Sequence, residues 1–115
     1  MGIERELMRG SGPLAVLQLL SRREMYGYEL VTALTRETGG VLAMGQSTLY
    51  PLLYNLEAKG WISSRSVDSD VGRVRRYYTL TRAGQKELDR QRADWRSLAR
   101  AMQALGIIGS GAGGG

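Results

Sequence analysis

The sequence predicts a mainly α fold with one small β-hairpin and a long helix at the C-terminal end. Three observations carry this. Leu49, Leu52, Leu53 and Leu56 fall at i, i+3, i+4 and i+7, one narrow apolar stripe on a helix that Gly60 stops. Immediately after Gly60 the period changes from that of a helix to that of two short strands separated by turn residues. Further on, Leu88, Gln91, Trp95, Leu98, Met102 and Leu105 follow the 3-4 spacing of a helix seam, with Gln91 the polar exception.

The elements follow in order. Residues 1–12 form an arm or a short helix, with Ile3, Leu7 and Met8 on a weak apolar face; Gly10-Ser11-Gly12 breaks the pattern. Pro13 suits a first helical position, where its missing N–H costs nothing. Leu14, Val16, Leu17, Leu19 and Leu20 then make a helix apolar almost all round, hence a central core element. Ser21 to Glu24 is a polar connector. A second helix runs from about Tyr26, through Gly27, Leu30, Val31, Leu34 and Thr38, to a stop at Gly39-Gly40. Val41 to Met44 is a short apolar joint.

The third helix presents Ser47, Tyr50, Pro51, Tyr54, Asn55 and Ala58 opposite its leucine stripe. A face meant only for water would carry more Glu and Lys, and this one suits a polar, flat-sided partner such as a DNA groove. The plain alternative is an ordinary amphipathic helix with two surface tyrosines. Two helices, a short joint and a polar-faced third helix is the order of a helix-turn-helix. Trp61 to Val67 reads as a strand, Asp68-Ser69-Asp70-Val71-Gly72 as a turn, and Arg73 to Leu80 as the returning strand. Arg76, Tyr78 and Leu80 share one of its faces; Arg75, Tyr77 and Thr79 share the other. A basic hairpin directly after a helix-turn-helix is a wing. Thr81 is a good N-cap for the last helix, whose seam suggests a partner helix, most simply its own copy; the alternative is that it folds back on the first helix. Gly106 ends it. The domains expected are therefore 1–12, the arm or short helix; 13–81, a winged helix-turn-helix; 82–106, a dimerisation helix; and 107–115, a flexible glycine-rich tail.

Composition narrows the chemistry. The chain has 115 residues, 16 Lys+Arg against 11 Asp+Glu, a formal charge of +5, and neither His nor Cys. That balance leans towards nucleic acid or an anionic surface. Disulfides, thiolate or imidazole metal sites, Cys or His nucleophiles and His general bases are excluded. With no phosphate-cradling glycine loop either, an enzyme is not expected, and neither a metal nor a cofactor is called for. No run is long enough to span a bilayer, so a cytoplasmic protein is expected.

The chain resembles the PadR-like family of bacterial winged-helix transcription regulators. The resemblance rests on Tyr26-Gly27-Tyr28-Glu29-Leu30, on Thr48-Leu49-Tyr50-Pro51-Leu52-Leu53 with Leu56-Glu57 and Gly60, and on Gly72-Arg73, Arg75-Arg76-Tyr77-Tyr78, Leu80-Thr81, Gly84 and Trp95. It covers residues 13–105 with order and spacing intact. The single terminal helix resembles the compact subgroup, in which that helix alone makes the dimer.

The resemblance implies a recognition helix from about Gln46 to Lys59 entering the major groove. Gln46, Ser47 and Thr48 would meet base edges and phosphates at its positive end. Tyr50 would donate its hydroxyl to a phosphate, or else pack on the neighbouring helix. Tyr54 and Asn55 would select sequence, Asn being able to pair with adenine. Since this helix carries no Arg, phosphate affinity is expected from the wing, through Arg65, Arg73, Arg75 and Arg76, with Asp68 and Asp70 holding the tip off the backbone. The alternative is that Arg75 or Arg76 pairs with Glu57 or another carboxylate. Tyr26 at its helix start reads first as structural. Leu88, Trp95, Leu98, Met102 and Leu105 would form the dimer seam. Trp95, which in some compact relatives faces its copy and stacks planar aromatic ligands, would bind such an effector or serve as a plain core tryptophan.

The function expected is a homodimeric, sequence-specific DNA-binding repressor on a roughly palindromic operator, relieved by a small planar aromatic effector. Two alternatives are a winged-helix protein-interaction module without DNA binding, favoured by the missing Arg and Lys on the recognition face, and a multidrug-type ligand sensor of the same fold.

Overall fold

The computed structural model describes residues 2–68 and 72–109. Its first helix, α1 (Arg5–Arg22), runs unbroken through Gly10, Ser11, Gly12 and Pro13, where the sequence predicts a break and a fresh start. Locally this is unfavourable, because glycine costs about 1 kcal/mol against alanine in a helix and proline removes a donor. Packing overrides it. Gly12 is buried beneath the Leu52 side chain of the third helix; a Cβ there would meet Leu52 Cδ1 at 3.4 Å, Met44 Cε at 3.5 Å and Met8 Sδ at 3.6 Å. The Ser11 hydroxyl donates to the Leu7 carbonyl at 2.7 Å and adds a local bond.

A two-residue strand, β1 (Met25–Tyr26), precedes α2 (Gly27–Glu37), so Tyr26 caps the helix from an extended backbone and does not open it. The Tyr26 backbone N–H donates to Glu29 Oε1 at 3.0 Å. The joint to α3 (Gln46–Ala58) buries Met44 beneath it. At the end of α3, Gly60 N–H donates to the Glu57 carbonyl at 2.9 Å and Trp61 N–H to the Leu56 carbonyl at 3.1 Å. With Gly60 at φ +78 this satisfies the last carbonyls by the Schellman pattern, as the sequence predicts for that glycine.

β2 (Ile62–Asp68) and β3 (Val74–Leu80) pair antiparallel from Ile62↔Leu80 to Asp68↔Val74, and β1 joins the other edge of β3, giving the order β1-β3-β2. Directly opposed residues share a face, so Arg65, Tyr77, Val67 and Arg75 lie on one side and Ser64, Tyr78, Ser66 and Arg76 on the other. Tyr78 is buried, which marks its side as the core side. Of the expected turn, Ser69, Asp70 and Val71 lie outside the described residues.

The fourth helix, α4 (Arg82–Ala104), is capped by the Thr81 hydroxyl, which accepts from Gly84 N–H at 3.0 Å. It ends at Gly106, φ +84, and most of the expected tail lies outside the described residues. One core holds these elements, with Leu17, Leu30, Leu34, Leu49, Leu53, Ile62 and Leu88 fully buried. α1 runs through its middle and packs on α2, α4 and β3. Leu88 belongs to this core at 0 % exposure and is not available to a partner chain, which removes it from the expected dimer seam. The 3-4 spacing is the same whether a helix packs on its own domain or on a copy, which is why periodicity alone places Leu88 in the seam. Among the described residues no helix is long and apolar enough to cross a membrane.

Candidate nucleic-acid interface

α3 turns Leu49, Leu53 and Leu56 inward and so must turn its opposite face outward. Gln46, Ser47 and Thr48 are exposed at its N-terminal end, where the first backbone N–H groups lack helical partners. Tyr54 is 73 % exposed, the most open aromatic side chain of the helix, and Asn55 beside it is exposed as well.

Tyr50 packs on the neighbouring helix, the second of its two expected parts. Its ring lies over the start of α2, so close to Gly27 that a Cβ there would clash with the Tyr50 hydroxyl and lie 2.9 Å from its Cζ. Yet it is 43 % exposed. Gly27 is thus a seat for the tyrosine, and the tyrosine stands between two helices with one side open to solvent.

The wing arginines are held in different ways. Arg65 makes a two-pronged bond to Glu24, Nε to Oε2 at 2.7 Å and Nη2 to Oε1 at 2.6 Å. These bonds hold the Glu24 carboxyl below the ordinary carboxylate value of 4.5 and push the Arg65 guanidinium up. Arg65 also lies over the Tyr77 ring at 5.5 Å, and Arg75 over the Tyr26 ring at 4.6 Å. The two tyrosines meet edge to face at 5.3 Å. Arg65, Tyr77, Tyr26 and Arg75 therefore form one ladder across the outer face of the sheet. Arg76, on the inner face, donates from Nη1 to Ser64 Oγ at 2.9 Å, and Ser64 donates to Glu57 Oε2 at 2.8 Å. Among the described residues Glu24 engages Arg65 directly, and Glu57 reaches Arg76 through Ser64. Arg73, Arg75 and Arg76 are exposed, as is Asp68; Asp70 lies outside the described residues.

Glu24 escapes a reading of the sequence by local pattern. Glu24 stands 41 residues from Arg65, in a segment that reads as a connector, and nothing in its neighbourhood marks it as the partner of a wing arginine.

On α4, Trp95 is 40 % exposed, Leu98 44 % and Leu105 75 %, with Met102 half-buried. Trp95 borders a mostly apolar hollow of about 400 Å³ with Leu14 and Ala15 of α1 and Leu42 of the joint. Indole, methyl groups and an open mouth suit a flat apolar guest.

The sequence profile described as the Transcriptional regulator PadR-like family matches residues 16–90. The chain is 36 % identical over 96 residues to the transcriptional regulator Rv3488 of Mycobacterium tuberculosis, covering 84 % of this chain and 86 % of that one. It is 32 % identical over 81 residues to the negative transcriptional regulator PadR of Bacillus subtilis, covering 70 % of this chain but 42 % of that longer protein. Among solved structures, the PadR family transcriptional regulator from Eggerthella lenta superposes with a TM-score of 0.77 at 33 % identity, over 87 % of this chain and 85 % of that one.

Proposed function

The chain belongs to the PadR-like family of transcriptional regulators, and from that premise we propose that it is a sequence-specific DNA-binding repressor that works as a homodimer and is released by a small planar aromatic effector. Its family and relatives are transcriptional regulators, not enzymes. The observation that carries the proposal is the outward face of α3. It offers hydroxyls, an amide and an open tyrosine, Ser47, Thr48, Asn55 and Tyr54, beside a wing whose arginines are pre-set by aromatic and hydrogen-bonded contacts.

In this reading α3 enters the major groove. Gln46, Ser47 and Thr48 bring the positive helix end to the backbone, while Tyr54 and Asn55 read base edges. Tyr50 reaches a phosphate from its seat on Gly27. Arg73, Arg75 and Arg76 neutralise phosphates from the wing, and Arg65, already engaged by Glu24, mainly steadies the hairpin. The dimer forms through the exposed remainder of the α4 seam, Trp95, Leu98, Met102 and Leu105. A fully covered side chain of this size contributes about 1.5–3 kcal/mol. Two heads so joined fit half-sites about one helical turn apart, some 34–36 Å. The hollow shares Trp95 with that seam, so a flat ligand there would change how two copies meet. Repression is favoured by the role named for the Bacillus subtilis relative.

A fluorescent duplex from the protein's own upstream region, titrated by anisotropy at two salt concentrations against random competitor, tests the proposal. Saturable binding that survives the competitor supports it. Binding no better than to random duplex overturns the sequence-specific part, and favours the protein-interaction module that a recognition helix without Arg or Lys otherwise suits. Planar aromatic compounds are then titrated into the complex of a Trp61→Phe variant, whose single remaining indole reports on Trp95.

A further inference from the structure

We propose that the first two turns of α1 are a second DNA contact, in which Arg5 and Arg9 grip phosphates on the rim of the groove that α3 enters. The inference rests on the DNA-binding reading above and concerns a segment to which that reading gives no part. It begins from the continuity of α1. Because the helix starts at Arg5 and not at Pro13, Arg5 and Arg9 stand one turn apart on one face. That face borders a hollow of about 290 Å³ whose far wall is Thr48, Leu52 and Asn55 of α3. Gly12 is buried beside it, where a Cβ would lie 3.4 Å from Leu52 Cδ1.

Charge gives the hollow its meaning. α3 itself carries Glu57 and neither Arg nor Lys. On the wing, Arg65 is engaged by Glu24, and Arg76 is linked through Ser64 to Glu57. Arg5 and Arg9 are exposed, and among the described residues no ion pair engages either. Glu4 and Glu6 share the first turn, but neither borders the hollow. Glu87 borders the adjoining hollow with Arg9, and its carboxylate is already held by Arg90 and by Gln91 at 2.7 Å. The flank of α3 that bears Thr48 and Asn55 is therefore lined with uncompensated positive charge.

The dimensions agree. A helix about 10–12 Å across fills a major groove about 12 Å wide. A neighbouring helix that borders the flank of α3, as the first turns of α1 do across the hollow, then lies over the groove's edge, where the phosphates run. Arginines on its inner face meet one backbone while the start of α2 and the wing meet the other.

Salt dependence of binding to a mixed-sequence duplex is the test, since phosphate contacts need no operator. Each contact contributes about 0.9 to the slope of log K against log salt. The doubly substituted Arg5→Gln/Arg9→Gln protein should lose about 1.8 from that slope, each single variant about half as much, with sequence discrimination and melting temperature unchanged. Glutamine is a good helix former, so the exposed turns should stay folded. The Arg5→Lys/Arg9→Lys protein should recover most of the slope, as a charge contact allows and a packing role does not. A wild-type protein that binds with a steep slope while the double glutamine variant matches it overturns this inference and leaves the DNA-binding reading standing. A wild-type protein that binds no duplex at all overturns both.

Discussion

Gly27→Ala drives a methyl group into the Tyr50 hydroxyl, 2.9 Å from Cζ and 3.2 Å from Cε1. Contacts so short cannot persist, and something must move. The backbone of α2 is fixed at this point, because Tyr26 N–H is bonded to Glu29 and Leu30 is fully buried one turn on. Tyr50 is 43 % exposed and can swing away. Overpacking of this kind costs about 1–3 kcal/mol, against which alanine returns about 0.5–1 kcal/mol of helix preference over glycine. The net for Gly27→Ala is a loss of about 1–2 kcal/mol. In a Tyr50→Ala background the obstacle is absent, and the same substitution should be neutral or stabilising by about 0.5 kcal/mol. The two substitutions are therefore coupled by about 1–2.5 kcal/mol, well above the few tenths expected of independent sites. Urea denaturation of wild type, both single variants and the double variant measures this directly, provided the m-values agree. Additive effects would refute the reasoning, because they would mean that Tyr50 does not rest on Gly27. The Gly27→Ala protein should also bind DNA less tightly than its stability loss explains, since its tyrosine has left its seat.

Other outcomes follow from the same structure. Leu88→Ala should lower unfolding free energy by about 2–5 kcal/mol, as for a buried leucine, whereas Leu98→Ala should leave it nearly unchanged and weaken self-association in sedimentation. Gly84→Ala should be far harsher than Gly27→Ala, because its Cβ would strike the backbone carbonyl of Trp61, which cannot rotate away; a melting temperature near that of wild type would contradict it. Arg65 holds the Glu24 carboxyl below 4.5, so the stabilisation from this pair is complete above that pH and fades as pH falls through the lowered folded-state value. The gap in melting temperature between wild type and Glu24→Gln should therefore narrow below pH 4.5, and a gap of constant size down to about pH 3 would rule the linkage out.

The parts of this fold that were legible in the sequence are those fixed by neighbours. The leucine stripe of α3, the stop at Gly60, the two faces of the hairpin and the Thr81 cap each depend on residues a few positions apart. The parts that were not legible depend on distant ones. α1 passes through Gly10 to Pro13 because Gly12 meets Leu52 and Met44 on other elements, and no local preference records that contact. β1 is two residues long and exists because Met25 and Tyr26 pair with Tyr78 and Tyr77. Of the candidate site, the α3 face was readable from residue types alone. That Arg65 is committed to Glu24, and Arg76 routed through Ser64, depends on the sheet bringing far parts of the chain together.

Gly60 and Trp61 connect α3 to the rest of the chain, and they leave it no slack. Trp61 N–H is bonded back to Leu56 in α3, and its carbonyl accepts from Thr81 N–H at 3.1 Å, at the doorstep of α4. The Thr81 hydroxyl donates to the Gly60 carbonyl at 2.7 Å while capping α4. The end of α3 and the beginning of α4 are thus held together at one joint. In the proposed dimer, whatever angle the two α4 helices adopt is handed on undamped to the two α3 helices. Insertion of a single base pair between half-sites displaces one of them along the duplex and also rotates it by about 34–36°, from 10–10.5 base pairs per turn. A joint without compliance cannot absorb that rotation, so this regulator should act as a narrow gauge of operator spacing, intolerant of one inserted base pair even where both half-sites are intact.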